Sequence, residues 1–293
     1  MTLLLIGEIN FMDIVYLNGQ YLAADQAKVS VFDRGFLFAD SVYEVIPFYA
    51  GTGFQLEEHI GRLKISLEAL YIRTDIDFSH IVNQLVIKNG GGDRSVYLQV
   101  TRGAGTKRSA VIDSNMSPTV FACSQPIINN YLPEQDLVKG VKVIVCEDLR
   151  WKRCDIKSTS LLPAILVMEQ ARQHSAHEAL LMRDDHILEG ASSNLFIVEN
   201  QQLIAPPSSH SILNGTTSAL VKKLAIDNDI QLVEDHIDYQ RLINADEVWI
   251  SSSTRGILPV TQVDEHFIAY EKGALWQQLY QLLAERQSAL LAS

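Results

Sequence analysis

Apolar and polar positions alternate on both sides of Asn18-Gly19 in IVYLNGQYLAA (14–24). That dipeptide tolerates the two positive-φ positions of a tight turn, so the stretch predicts a β-hairpin. VSVF (29–32) and SVYEVIPFYAGTGFQL (41–56) keep the period of two and predict further strands. The period then changes. In EEHIGRLKISLEALYI (57–72), Ile60, Leu63, Leu67 and Leu70 recur at helical spacing, and Glu57 and Glu58 stand in the first turn, where the helix dipole favours acids. A second helix, FSHIVNQLVIKN (78–89), stops at Gly90-Gly91-Gly92, and RSVYLQVTRG (94–103) and PTVFACSQPI (118–127) return to strand. Together these compose an α+β unit of about 130 residues, within the usual size of a domain.

NNYLPEQDLVKG (129–140) carries asparagine, proline and charge without any period, the mark of a linker. Beyond it VKVIVCEDLRW (141–151) alternates as a strand. Ser160 is placed to cap a helix, LLPAILVMEQARQH (161–174), with Pro163 tolerated in its first turn. EALLMRDDHILEGASSNLFIVENQQLIAP (178–206) predicts a meander of short strands, and NGTTSALVKKLAIDNDI (214–230) a helix starting just after Gly215. ADEVWISSSTRGILPVTQVDE (245–265) reads as strand, polar turn and strand, and KGALWQQLYQLLAERQ (272–287) as a closing helix. The expected organisation is a smaller N-terminal α+β domain (1–130), a linker (131–139) and a larger C-terminal α+β domain (140–293).

Composition narrows the function. The chain has 293 residues, 47% hydrophobic, and a formal net charge of −11, a balance that repels nucleic-acid phosphates and anionic lipid. No nucleic-acid or membrane partner is expected. Three cysteines, Cys123, Cys146 and Cys154, form an odd set without C-x-x-C spacing, as expected of reduced thiols in a cytoplasmic protein. The opening MTLLLIGEINFM lacks the basic region and small-residue cleavage site of a signal peptide.

Against that acidic background Arg150, Lys152, Arg153 and Lys157 cluster in RWKRCDIKS. One reading is a solvated basic patch. The other is that Lys157, at a strand-to-helix junction, is an amine kept nucleophilic by nearby charge or desolvation. Asn214-Gly215-Thr216-Thr217 opens a helix and offers N–H groups and hydroxyls to an anion, Ser251 to Gly256 is a hydroxyl-rich turn, and Arg62 can add a charged fork. Each alone is commonly a cap or a solvated side chain; together they point to a phosphorylated ligand. Glu189, in LEGASSN, either faces water or holds a ring nitrogen protonated. His174 and His177 have no third ligand, so no metal is assigned. RGAGTKRS lacks the third glycine of a dinucleotide fingerprint, and neither a Walker A motif nor a G-x-S-x-G elbow occurs.

Lysine, ring-pairing carboxylate and phosphate cradle are the parts of pyridoxal phosphate chemistry. In DRGFLFADSVYEV, EEHIGRL, YLQVTRG, KGVKVIVCEDLRWKRCDIKS, LEGASSNLF, ILNGTT and SSSTRGILPV the chain resembles the class IV (fold-type IV) aminotransferases, and within them the D-amino-acid transaminases. The resemblance begins near Ile14, so residues 1–11 are expected to be an extension. It implies a two-domain α+β fold with pyridoxal 5′-phosphate between the domains, and a homodimer whose partner loops complete the site. Lys157 becomes the Schiff-base lysine and proton shuttle, carried by the C-terminal domain. Glu189 pairs with the pyridine nitrogen, Arg62 binds the phosphate with Thr216, Thr217, Ser252, Ser253 and Thr254, Leu213 packs on the ring, and Asn194 joins the cofactor set. Tyr43 stands beside the lysine and helps hold substrate.

The implied activity is ping-pong transfer, through an aldimine, of an amino group between a D-amino acid of the D-alanine type and a 2-oxo acid of the 2-oxoglutarate type. In the D-amino-acid enzymes the loop after TRG carries an arginine and, two residues on, a histidine that bind the substrate carboxylate. Here Lys107 and Ser109 fall at those places, and a one-residue slip brings in Arg108. A lysine lacks the bidentate fork. The alternatives within the family are aminodeoxychorismate lyase, branched-chain aminotransferase and (R)-amine transaminase; the lyase typically lacks the pair found here as Tyr43-Glu44.

Overall fold

The computed structural model describes residues 13–113, 115–127, 140–268 and 274–291; the expected linker and the N-terminal extension lie outside the described residues. The chain divides into two compact units, Met1–Ile128 with Ile156–Ser160, and Asn129–Asp155 with Leu161–Ser293. The short segment around Lys157, assigned to the C-terminal domain by the sequence, thus packs with the first unit.

That unit is built on a six-stranded antiparallel sheet of order β2-β1-β6-β5-β3-β4. Strands β1 (Ile14–Leu17) and β2 (Gln20–Ala23) form the expected hairpin, with Asn18 and Gly19 at φ 49° and 93°. The central pair is β3 (Ser41–Tyr49) and β5 (Arg94–Thr101), flanked by β6 (Thr119–Pro126) and by β4 (Thr52–Gly53), which pairs only with Phe48 and Tyr49. Helices α2 (Leu56–Ala69) and α3 (Phe78–Lys88) cover one face. Leu63, Leu67, Val82 and Leu85 bury there against Val42, Ile46, Val96 and Leu98.

The rest of β3's edge is taken by residues 157–159: Tyr43 N–H donates to the Lys157 carbonyl at 3.0 Å and Thr159 N–H to that of Ser41 at 3.1 Å. Because side chains alternate along a strand, Glu44 shares the helix-covered face with Val42 and Ile46, while Tyr43 points to the other face.

The second unit carries a nine-stranded mixed sheet, β12-β11-β10-β13-β14-β7-β8-β9 with β15 on β14, in which β11 (Gln202–Ala205), β12 (Leu232–Glu234) and β15 (His266–Phe267) are peripheral. Those that position chemistry are β7 (Val141–Glu147), β8 (Glu178–Arg183), β9 (His186–Gly190), β10 (Asn194–Glu199), β13 (Glu247–Ser252) and β14 (Gly256–Val263). Strands β7, β8 and β14 pair in parallel; β8–β9, β10–β13 and β13–β14 pair antiparallel. Helix α4 (Leu162–Gln173) buries only Val167 and Ala171, and α5 (Thr216–Asp227) follows Gly215 as expected.

Local expectations fail in three places. VSVF is no strand: Val29, Val31 and Phe32 are exposed, and alternation without a partner to pair with leaves the stretch irregular. Ser160 is not the cap of α4; Leu161 holds that position without a side-chain bond. Two short helices went unforeseen, α1 (Arg34–Phe38) and α6 (Tyr239–Asn244), each started by an aspartate accepting a backbone N–H, Asp33 from Gly35 and Asp238 from Arg241, both at 2.8 Å. Among the described residues no helix is long and apolar enough to cross a membrane.

Candidate active site

In the first unit the predicted residues gather at the start of β3. The Lys157 ammonium lies 4.5 Å from the centroid of the Tyr43 ring, which itself stacks on Tyr97 at 5.6 Å. A cation over an aromatic face is held by the ring quadrupole. Burial raises the Tyr43 hydroxyl above its ordinary pKa, so it stays protonated and able to donate. On the other face, Glu44 accepts from Arg62 Nε and Nη2, both at 2.7 Å, and from His59 Nδ1 at 2.7 Å. A carboxylate only accepts, so the histidine proton sits on Nδ1. Burial works to raise the Glu44 pKa, but these bonds from Arg62 and His59 prevail and hold it near 2, while burial lowers that of His59.

The loop expected to meet a substrate carboxylate also belongs to this unit. Lys107 and Arg108 are exposed and Ser109 is half-buried. Arg108 and Arg34 both lie against Phe38, with guanidinium carbons 5.0 and 4.9 Å from its centroid. Arg34 donates to the carbonyls of Ser109, Ala110 and Val111 and pairs with Asp40 at 2.7 Å. Asp40 is shared with Arg102, at 2.7 and 2.8 Å. The backbone after Arg108 is therefore pinned by an ion-pair network at the foot of β3.

In the second unit Glu189 lies on β9, opposite Leu181 of β8. It accepts from Arg150 Nη1 at 2.6 Å, Asn194 Nδ2 at 3.1 Å and the Leu213 N–H at 3.1 Å. Arg150 also donates to Asp148, at 2.9 and 3.0 Å, and to the Ser211 carbonyl at 3.3 Å, and Arg183 reaches the same aspartate at 2.8 Å. Burial pushes Glu189 up to about 7, with the Asp148 charge adding to that rise and Arg150 opposing it. Asn194 also donates to the Leu213 carbonyl at 2.8 Å, fixing the stretch that leads into α5. Gly215 permits this approach, since a Cβ there would sit 1.9 Å from Asn194 Oδ1.

The N-cap of α5, Gly215, has no side chain of its own to bond the first turn; Thr216 and Thr217 are buried, and Thr216 Oγ1 lies 3.4 Å from Ser253 Oγ in the turn that includes Ser252 and Thr254. Ser251 Oγ, buried on the same sheet face as Asn194, has no hydrogen-bond partner among the described residues.

Sequence reasoning missed what surrounds these groups. Arg150 was counted with the basic cluster around Lys157, yet it belongs to Asp148 and Glu189; Arg153 is likewise spoken for, by Asp155 at 3.0 Å. His59 gave no signal of its own. Glu44 was noticed only beside Tyr43.

The class IV amino-transferase family model matches residues 41–263. The chain belongs to the class IV aminotransferases. It is 38% identical over 255 residues to the D-alanine aminotransferase of Bacillus licheniformis, covering 85% of this chain and 88% of that protein. It is 34% identical over 276 residues to that of Staphylococcus epidermidis, covering 92% and 96%. Among solved structures, the branched-chain amino acid aminotransferase of Escherichia coli has the same fold, with a TM-score of 0.85 at 24% identity and 94% of each chain covered. This aminotransferase is a pyridoxal 5′-phosphate enzyme.

Proposed function

We propose that this class IV aminotransferase exchanges an amino group between a D-amino acid of the D-alanine type and a 2-oxo acid of the 2-oxoglutarate type. The observation that carries the reading is the 38% identity to a D-alanine aminotransferase across 85% of the chain. The donor set suits the cofactor. A phosphate monoester calls for N–H and O–H donors, and the start of α5, with Thr216, Thr217 and the turn 252–254, supplies them. Ser251 adds a buried hydroxyl in want of a partner. Arg62, held by Glu44 through Nε and Nη2, is the cation assigned to the phosphate.

When bound, pyridoxal phosphate supplies an aldehyde that combines with an amine and a ring that takes up electron density from the α-carbon. The chain's residues divide the remaining work. Lys157 Nζ removes and returns the α-proton, over the Tyr43 face that keeps it in place. Glu189 presents negative charge to the ring nitrogen, and Leu213 and Asn194 hold that carboxylate in position. Arg108 and Lys107 attract the substrate carboxylate from a backbone pinned by Arg34.

A homodimer accords with the surface of α4, where Leu162, Ile165 and Leu166, at helical spacing, are 66%, 60% and 51% exposed opposite buried Val167 and Ala171. A cytoplasmic enzyme accords with its three free thiols.

The test is incubation of purified protein with D-alanine and 2-oxoglutarate, followed by chiral analysis. Pyruvate and D-glutamate are expected, with borohydride-reducible cofactor label at Lys157 and a solution mass twice the 32.7 kDa chain. Release of pyruvate from L-alanine in place of D-alanine, or from neither, would overturn the reading; the second result is the one a lyase gives.

A further inference from the structure

Arg255, which follows Thr254 in the hydroxyl turn, has no role in the transamination described above. Its guanidinium is nevertheless the hub of a cluster drawn from three separate places in the second unit. Nε donates to Ser252 Oγ at 3.2 Å, Nη2 donates to Ser192 Oγ at 3.0 Å, and Nη1 meets His177 Nε2 at 2.6 Å. Behind them Glu178, fully buried at the start of β8, accepts from Ser192 Oγ at 2.7 Å and Ser193 Oγ at 3.2 Å, and its carboxylate lies 3.6 Å from Nη2. Arginine has no acceptor, so His177 receives the bond on Nε2 as a neutral ring. Burial and the adjacent Arg255 hold its pKa down to about 4.

The direction of these bonds decides what the cluster does. A hydroxyl has one proton and two acceptor sites. Arg255 occupies an acceptor site on both serines. Ser192 gives its proton to Glu178 and has none left to donate; Ser252 keeps its proton for an acceptor outside the cluster. We propose that Arg255 is a positioning residue for the cofactor's phosphate monoester: anchored through Ser192 to the 191–193 turn next to Glu189, it orients the Ser252 hydroxyl as a donor. This inference rests on the assignment of that turn to the phosphate. Gly190, beside the second turn, leaves the room this packing needs, since a Cβ there would sit 2.1 Å from Ser193 Oγ.

The test compares two ligands on full-length protein stripped of cofactor, pyridoxal 5′-phosphate and pyridoxal, each titrated by absorbance. Arg255→Gln should weaken pyridoxal phosphate by about tenfold or more, the usual worth of a hydrogen bond that serves a charged group, and leave pyridoxal unchanged. Ser252→Ala combined with Arg255→Gln should bind pyridoxal phosphate no more weakly than Ser252→Ala alone, because the arginine acts through that hydroxyl. Unchanged affinity in Arg255→Gln overturns the proposal. Equal loss of both ligands also overturns it, since that marks a general structural role, and so do additive losses in the double variant. A parent protein that binds both ligands equally well refutes the phosphate cradle itself, a different outcome from a faultless cradle indifferent to Arg255.

Discussion

Glu44 and Glu189 are both buried carboxylates facing an arginine at salt-bridge distance, and their pKa values move in opposite directions. Glu44 accepts from both Arg62 and His59, with all three bonds at 2.7 Å, and is held near 2. Glu189 has an equally short bond from Arg150, 2.6 Å, but Arg150 also donates twice to Asp148, and Glu189 is driven up by burial to about 7. Burial raises both carboxylates; at Glu44 the bonds from Arg62 and His59 outweigh it, whereas at Glu189, whose Arg150 also bonds Asp148, the opposing bonds do not. Glu44 is a fixed anion, part of the scaffold that holds Arg62. Glu189 is short of one positive charge, the condition under which a protonated ring nitrogen is welcome, because the charge each lends stabilises the other.

The comparison breaks most visibly through stability. Replacing Glu44 with Ala leaves Arg62 and His59 facing a cavity with no anion, and breaking a buried pair in this way should cost about 3–5 kcal/mol in urea unfolding. A loss below about 1 kcal/mol, the worth of an exposed pair, would deny Glu44 its scaffold role. Glu189→Gln should show the reverse profile. The amide still accepts from the Leu213 N–H and fills the same volume, so stability is kept, while kcat falls about 10²-fold because the charge opposite the ring is gone. Steady-state kinetics with D-alanine on cofactor-saturated protein measures this, and undiminished kcat removes Glu189 from the mechanism.

The two carboxylates also differ in how much of their setting was legible. Local chemistry was readable: Asn18-Gly19 announced the hairpin, and the 3.6-residue period of residues 57–72 announced α2 with Arg62 on it. Local pattern was no guide where the outcome hung on a distant partner. VSVF alternates as well as SVYEV does, but only the latter finds β5 beside it. The site divides along the same line. Lys157, Glu189 and the hydroxyl turn were found from residue types and family likeness, whereas the charge on each depends on groups brought in by packing: His59 and Arg62 lie 15 and 18 residues from Glu44, and Arg150 lies 39 from Glu189. A run of basic residues in RWKRCDIKS looks like one patch in sequence, but in the fold Arg150 pairs with Asp148 and Glu189, Arg153 with Asp155, and Lys157 lies over the Tyr43 ring.

The subtlest consequence is a pH dependence that belongs to Glu189 and has no counterpart in Glu44 near neutrality. Its carboxyl stands at about 7 in the folded protein against an ordinary 4.5. Between those pH values the folded cofactor-free protein keeps a proton that the unfolded chain has released, so this group's contribution makes stability fall as pH rises from 4.5 towards 7 and level off above. Glu44 is depressed, so its contribution is present above its ordinary 4.5 and lost only as pH drops towards 2. Urea midpoints taken across this range should show the slope in the parent and its loss in Glu189→Gln. Asp148→Asn then tests the cause. It removes the carboxylate charge that shares Arg150 with Glu189. The upper end of the slope should move down by about one pH unit or less, the effect of removing one neighbouring like charge. An upper end that stays in place would mean that desolvation alone sets the Glu189 charge, and the contrast with Glu44 would then be one of depth, with cation sharing playing no part.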